Sequence, residues 1–129
     1  MEREPGKSVG SLLEGVYEVA IRVRDLARSE AFYCGTLGLE VGLRDEPRRR
    51  VFLRVGGSRG MLVLLEDAGA WPTQHLALTV DGTCLAQAAR ALEQSGVRVE
   101  GPITHAWMPA RSLYFADPDG HDLELCAPG

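Results

Sequence analysis

Two stretches of this chain, YEVAIRV at residues 17–23 and QHLALTV at 74–80, superimpose without a gap at an offset of 57. Both alternate residue by residue, the period of a half-buried strand. In the first, Tyr17, Val19, Ile21 and Val23 share one face and Glu18, Ala20 and Arg22 the other. Helix signals come after each. Asp25 is placed to cap DLARSEAFYCGTLG, where Leu26, Phe32, Tyr33 and Leu37 recur at helical spacing and Gly38 offers a left-handed stop. Asp81 and Thr83 lead into CLAQAARALEQSG, with Leu85, Ala88, Ala89 and Leu92 on one stripe and Gly96 as the stop, 58 residues after Gly38. Strands resume at 39–43 and 97–99. Each half then closes in a hairpin, VFLRVGGSRGMLVLL (51–65) and SLYFADPDGHDLELC (112–126), around a Gly-rich or Pro-Asp-Gly turn. A repeat matched at several independent places constrains a fold more than any single motif does. It predicts an α+β fold of two paired βαβββ modules within one domain at 16–129, module one at 16–68 and module two at 74–127, preceded by a loose leader at 1–15.

With 45% hydrophobic residues the chain can bury one core, and its formal charge of −4 argues against a nucleic-acid partner. The basic triplet Arg48, Arg49 and Arg50 reads as a solvated loop. No apolar run approaches the roughly 20 residues that span a bilayer. Three cysteines without CxxC spacing, and an N-terminus MEREPGKSVG without an apolar segment, predict a reducing cytoplasm. Cys34 and Cys84 read as packed thiols, and Cys126 as the thiol on the face of Glu124.

The repeat equates Glu18 with His75, each followed two residues later by an alanine that leaves room for a ligand. In the last hairpin Glu124 shares a face with Asp122, while Ser112 and Tyr114 share one opposite the apolar Leu113 and Phe115. If the strands of each module lie side by side, Glu18, Arg22, His75, Thr79, Ser112, Tyr114 and Glu124 gather on one sheet face. One imidazole and two carboxylates can hold a divalent cation such as Mn, Fe, Co, Ni or Zn. The plain alternative is the solvated face of an antiparallel sheet, which needs no function. Asp122 reads as a solvated strand-end acid, His105 and His121 as loop or turn residues, and Trp71 as an anchor for the linker between modules.

EVAIRVRDLARSEAFYCGTLGLEV, HLALTV and LYFADPDGHDLELCAP together resemble the vicinal oxygen chelate superfamily of glyoxalase I, fosfomycin-resistance thiol transferases, bleomycin-binding proteins and extradiol dioxygenases, over about residues 16–127. The resemblance implies metal ligands at Glu18, His75 and Glu124, and a metal-dependent lyase, transferase or dioxygenase whose cation chelates adjacent oxygens of a small substrate. Relatives that bind metal usually carry His at position 18. Glyoxalase I adds a carboxylate where this chain has Val63, and extradiol dioxygenases use two His where this chain offers one. By likeness to the thiol transferases, Ser112 and Tyr114 are the catalytic candidates; Arg22, Thr79 and Arg111 would contact substrate, Arg111 being the nearest cation to the lysine those enzymes use. AWMPARSLYFADPDG is also similar to the bleomycin-binding proteins, which implies an alternative: a metal-free sequestering protein with Trp107 as a stacking surface. A relative that has drifted to a non-catalytic role is a third reading. Family members pair with a pocket built from both chains, so the expectation is a homodimer in which Glu18 completes a site whose His75 and Glu124 belong to the other copy.

Overall fold

The alternating stretch at 17–23 folds as strand β1 (Glu18–Val23), and Asp25 caps the helix after it, its side chain accepting from the Arg28 amide. That helix, α2 (Leu26–Glu30), continues into a π-helical segment, Ala31–Thr36, which turns the Tyr33 side chain fully inward. Gly38 adopts φ +78° beyond it, and Gly96 adopts +84° after the corresponding helix of the second half, as the repeat predicts. Strands β2 (Glu40–Asp45), β3 (Arg50–Val55) and β4 (Gly60–Glu66) complete the first module. The second runs β5 (His75–Thr79), a 3₁₀ turn (Gly82–Cys84), α3 (Leu85–Gln94), β6 (Glu100–His105), β7 (Ala110–Ala116) and β8 (Asp122–Pro128). The computed structural model describes residues 8–129, so 1–7 of the expected leader lie outside the described residues. The remainder of that leader includes a one-turn helix, α1 (Val9–Leu12), capped by Ser8 and burying nothing.

Two expectations need correction. The strand placed at 97–99 begins instead at Glu100; Val97 and Val99 pack against the core as the approach to it. The shift accompanies a bulge between Glu100 and Ile103, where Gly101 has φ +111° and a Cβ would stand 2.6 Å from the Ser112 carbonyl oxygen. Only glycine allows β6 to approach β7 so closely there. Cys84, expected to be packed, is exposed at the end of the 3₁₀ turn, whereas Cys34 is half-buried against the core.

Each module forms a four-stranded sheet, ordered β1-β4-β3-β2 and β5-β8-β7-β6, with the first and last strands of the module paired in parallel. One core serves both sheets. Ile21, Val23, Leu53, Leu62 and Leu64 of the first module pack with Tyr33 and with Leu92, Phe115 and Leu123 of the second. Each large apolar side chain so buried contributes about 1.5–3 kcal/mol. No helix among the described residues is long and apolar enough to cross a membrane.

The DPDGH turn at 117–121 clasps the two modules. His121, almost fully buried, accepts at Nδ1 from the Gln74 amide (2.9 Å) and donates from Nε2 to the Arg22 carbonyl (2.6 Å), which fixes it as the neutral Nε2–H tautomer. Tyr33 donates its hydroxyl to Asp117 Oδ2 at 2.7 Å, and Asp119 accepts from the Arg24 amide and from Arg28 (2.7 Å). Trp71 stacks on the His121 ring at 5.4 Å, with the Arg24 guanidinium 4.7 Å from its centroid, so the linker anchor expected of Trp71 is present. The C-terminal end of β1 therefore lies against the turn that feeds β8, beside the start of β5. The N-terminal end of β1 shares a cleft with residues 76–82. The two edge strands pass each other head to tail.

Candidate functional site

Register decides which polar side chains meet. The parallel β5–β8 pairing sets His75 beside Asp122 and Ala77 beside Glu124, and the antiparallel β7–β8 pairing sets Tyr114 opposite Glu124 and Ser112 opposite Cys126. His75, Glu124, Ser112, Tyr114 and Cys126 thus share one face of the second sheet, His75 and Glu124 as diagonal neighbours. Ala77, directly beside Glu124, leaves the space between them open.

Glu124 is the centre of this face. It is buried, and a buried carboxylate persists only if its oxygens are hydrogen-bonded. Both are: Oε1 lies 3.0 Å from His75 Nε2, and Oε2 accepts the Ser112 hydroxyl at 2.6 Å. The His75 ring is half-exposed, and its other nitrogen, Nδ1, lies 3.4 Å from Asp122 Oδ2. Carboxylates on both ring nitrogens hold the imidazole edge-on to the sheet. Strand β6 adds His105, whose Nε2 stands 3.1 Å from Ser112 Oγ and 3.0 Å from the Tyr114 hydroxyl. Trp107, 79% exposed on the turn after β6, tilts against the His105 ring at 5.7 Å. Burial raises the Tyr114 phenol above its ordinary value; the Ser112 hydrogen bond opposes this and the Glu124 charge adds to it, so Tyr114 stays a neutral hydroxyl.

Of the other sequence candidates, Thr79, paired with Cys126, lies on this same face four residues along β5 from His75, and Glu18, Arg22 and Arg111 lie elsewhere. Glu18 and Arg22 project from the first sheet; Glu18 is exposed at the cleft end of β1, and Arg22 Nε is engaged with Asp67 Oδ2 at 3.0 Å. The cleft, about 930 Å³, is lined by Tyr17, Glu18, Met61, Ala77 and Thr79 among others. Arg111 points to the opposite face of its sheet, paired with the buried Ala127, and donates to the Gly82 carbonyl at 3.2 Å. The single polar face anticipated from the repeat is therefore two faces, one on each sheet. Among the described residues of one chain, Glu18 makes no hydrogen bond or ion pair with His75 or Glu124.

Sequence reasoning passed over two residues of the second-sheet face. Asp122 is the solvated strand-end acid expected, its side chain 64% exposed at the start of β8, and it also meets His75 at 3.4 Å, which its alternation with Glu124 could have signalled. His105 read as a loop residue, because the β6 bulge conceals which face it takes. Nor does anything local mark His121 as the buried joint between modules, since its partner is a backbone carbonyl 99 residues away.

The donor set can be tested against a divalent cation. An imidazole nitrogen and a carboxylate oxygen 3.0 Å apart are spaced as adjacent ligands on one ion are, and oxygen/nitrogen donors suit the divalent transition metals. Asp122 cannot join them, because it faces the other ring nitrogen. Accordingly, no group of three or more His, Cys, Asp or Glu arranged to hold an ion occurs among the described residues. Two ligands fit, and the chain by itself does not bring a third to them.

Parallel first and last strands in each of two repeated modules, closed over one shared core, define the paired βαβββ class of α+β proteins. The sequence profile of the Glyoxalase/Bleomycin resistance protein/Dioxygenase superfamily matches residues 15–125, and the chain belongs to that superfamily. An integron cassette protein from the mobile metagenome of the Halifax Harbour sewage outfall is 46% identical, with a TM-score of 0.86 over 89% of this chain and 99% of its own. Lactoylglutathione lyase from Agrobacterium tumefaciens is 27% identical, with a TM-score of 0.76 over 89% of this chain and 94% of its own. Catechol-2,3-dioxygenase from Bacillus subtilis (strain 168) is 31% identical over 116 residues, 83% of this chain. The chain spans only 39% of that dioxygenase's length.

Proposed function

We propose that this protein is a divalent-cation-dependent enzyme that acts on a small substrate bearing adjacent oxygens. The observation that carries the reading is the His75–Glu124 pair: a half-exposed imidazole and a buried carboxylate held 3.0 Å apart, each oriented by a further partner, Asp122 or Ser112. A wet sheet face without function gives no reason to bury one carboxylate and order the groups around it, since that burial carries a desolvation cost. Membership of a superfamily that includes a lyase and a dioxygenase on this fold supports the same reading. His75 and Glu124 would hold the ion. Glu18, at the exposed N-terminal end of β1, would complete the ligand set from a second copy of the chain in a homodimer.

A bound cation supplies Lewis acidity, polarising substrate oxygens and stabilising negative charge that develops on them. The chain's own residues do the rest. Ser112 holds Glu124 correctly turned by donating to Oε2. Tyr114, neutral and facing the same side, offers a hydroxyl donor to a substrate oxygen. Ala77 leaves the room in which a small ligand sits, and Trp107 covers its rim with an exposed aromatic face. The test is the content of Mn, Fe, Co, Ni and Zn after stripping and reloading, with wild type and Glu124→Ala side by side. About one ion per wild-type chain, lost in the variant, is expected. Absence of stoichiometric metal under every loading overturns the proposal, and ligand-dependent quenching of Trp107 would then become the informative measurement.

A further inference from the structure

The face of the first sheet that carries Glu18 also carries three arginines, Arg22, Arg50 and Arg54, opposite the core residues Leu53 and Leu62. Arg22 is bonded to Asp67 at 3.0 Å and Arg50 to Asp45 at 2.9 Å. Arg54 makes no ion pair among the described residues, although Glu40 of β2 is its register neighbour. Its side chain lies across Gly42 instead, where a Cβ would stand 3.2 Å from Arg54 Nε and 3.3 Å from Cγ. Arg54 there borders a cavity of about 210 Å³ whose walls include Tyr17, Leu43, Met61 and Ser58. By contrast, Arg44 and Arg49, at the cavity beside α2, are already bonded to Glu30 and Glu66. Arg59 follows Ser58 but lines the adjoining cleft, which it shares with the acids Glu18 and Asp81.

We propose that this cavity is a carboxylate subsite with Arg54 as its recognition residue, and that the substrate is a small molecule bearing one carboxylate next to an apolar part. This rests on the cation-dependent reading above, which brings the adjacent oxygens of the substrate to an ion beside Glu18. A planar guanidinium offers two parallel N–H donors to a carboxylate, and Ser58 adds a hydroxyl at the cavity wall. One positive charge matches a monoanion, whereas a phosphate dianion would keep half of its charge unmatched. Tyr17, Leu43 and Met61 give the apolar part of the ligand a surface to cover. The sheet also fixes how this subsite stands to the ion. Glu18, Met61 and Arg54 are register partners across β1, β4 and β3, so Arg54 stands two strand spacings, about 10 Å, from Glu18. A molecule whose adjacent oxygens meet an ion at Glu18 therefore presents a carboxylate at its other end to Arg54.

The test uses metal-stripped protein and two probes of one shape, phenylacetate and its neutral counterpart phenylacetamide. Binding is followed in ¹H–¹⁵N spectra of the backbone amides and the arginine Nε–H groups, with Arg54→Gln used to assign the Arg54 signal. Phenylacetate should shift the Arg54 Nε–H and the Ser58 amide along one saturating curve. Arg90 and Arg98, exposed and outside the cavity, should not follow that curve. Phenylacetamide should bind about tenfold more weakly, the loss expected when a hydrogen-bonded charge is removed. Arg54→Gln, an exposed position whose change leaves the core untouched, should bind phenylacetate about tenfold more weakly than wild type does, read at the Ser58 amide. The proposal is overturned by the absence of a saturating shift at Arg54, by equal binding of the two probes, or by unchanged phenylacetate binding in Arg54→Gln. Because no metal is present, this failure is separate from a failure of His75 and Glu124 to bind an ion, and either can occur without the other.

Discussion

Replacing Tyr33 by Phe probes the joint between the modules with little change of shape. The Tyr33 side chain is fully buried, and its hydroxyl donates across the modules to Asp117 Oδ2 at 2.7 Å. Asp117 is itself buried, and its other oxygen accepts from the amides of Asp119 and His121, so the carboxylate organises the turn that carries His121 into the Arg22 carbonyl. Phe fills the same volume and leaves Oδ2 without its donor. A hydrogen bond to a charged group contributes about 1.5–3 kcal/mol, and an orphaned buried acceptor costs at least as much. For a chain of 129 residues, an unfolding entropy of about 2.1 cal/mol/K per residue converts 1 kcal/mol into roughly 4 °C. The variant should therefore melt about 6–11 °C below wild type. Urea unfolding followed by tryptophan fluorescence should show a lower midpoint with an unchanged slope. Burial first, and then the Asp117 charge, hold the Tyr33 phenol far above its ordinary value. A group whose folded value is raised contributes fully below its unfolded value, here about pH 10, and loses that contribution as pH climbs beyond it. The gap between wild type and variant should be flat from pH 6 to pH 9 and narrow in strong alkali. A difference below about 0.5 kcal/mol at neutral pH would refute the claim that this bond ties the modules together.

Two further outcomes are expected. Arg44 lowers Glu30, Arg50 lowers Asp45, Arg49 lowers Glu66, and the Thr83 hydrogen bonds lower Asp81. Depressed carboxylates stabilise the fold above their unfolded values near pH 4 and lose this as pH falls through the folded ones, so the urea midpoint should drop below about pH 4, and less steeply in Arg49→Ala. Gly101→Ala would force a Cβ to 2.6 Å from the Ser112 carbonyl at φ +111°, costing about 1–3 kcal/mol by urea unfolding; Gly57→Ala, with positive φ but open space, should cost less.

The parts of this fold that are legible in the sequence are those written in local chemistry. Alternation marks β1 and β5, Asp25 and Asp81 cap the helical turns next to them, and Gly38 and Gly96 end the helices at positive φ. The 57-residue repeat then pairs Glu18 with His75 by equivalence. Equivalence is not proximity, however: β1 and β5 pass head to tail, and the two positions face different surroundings. On the second-sheet face, period-two alternation was sufficient to group Ser112, Tyr114 and Glu124 with each other. It failed for His105, because a bulge resets which side chains point inward, and for His121, because a backbone partner 99 residues distant leaves no side-chain signature.

The central claim, that Glu18 of one copy completes the His75–Glu124 pair of another, is tested most directly by mixing two defective chains. Glu18→Ala and Glu124→Ala, each unfolded, refolded and loaded alone, should hold almost no metal. Refolded together in equal amounts, half of the dimers pair the two variants, and each such dimer regains one intact site from its two undamaged halves. The account predicts about a quarter of an ion per chain in the mixture. A mixture that binds no more metal than the separate variants, with wild type treated identically reaching about one ion per chain, would contradict it.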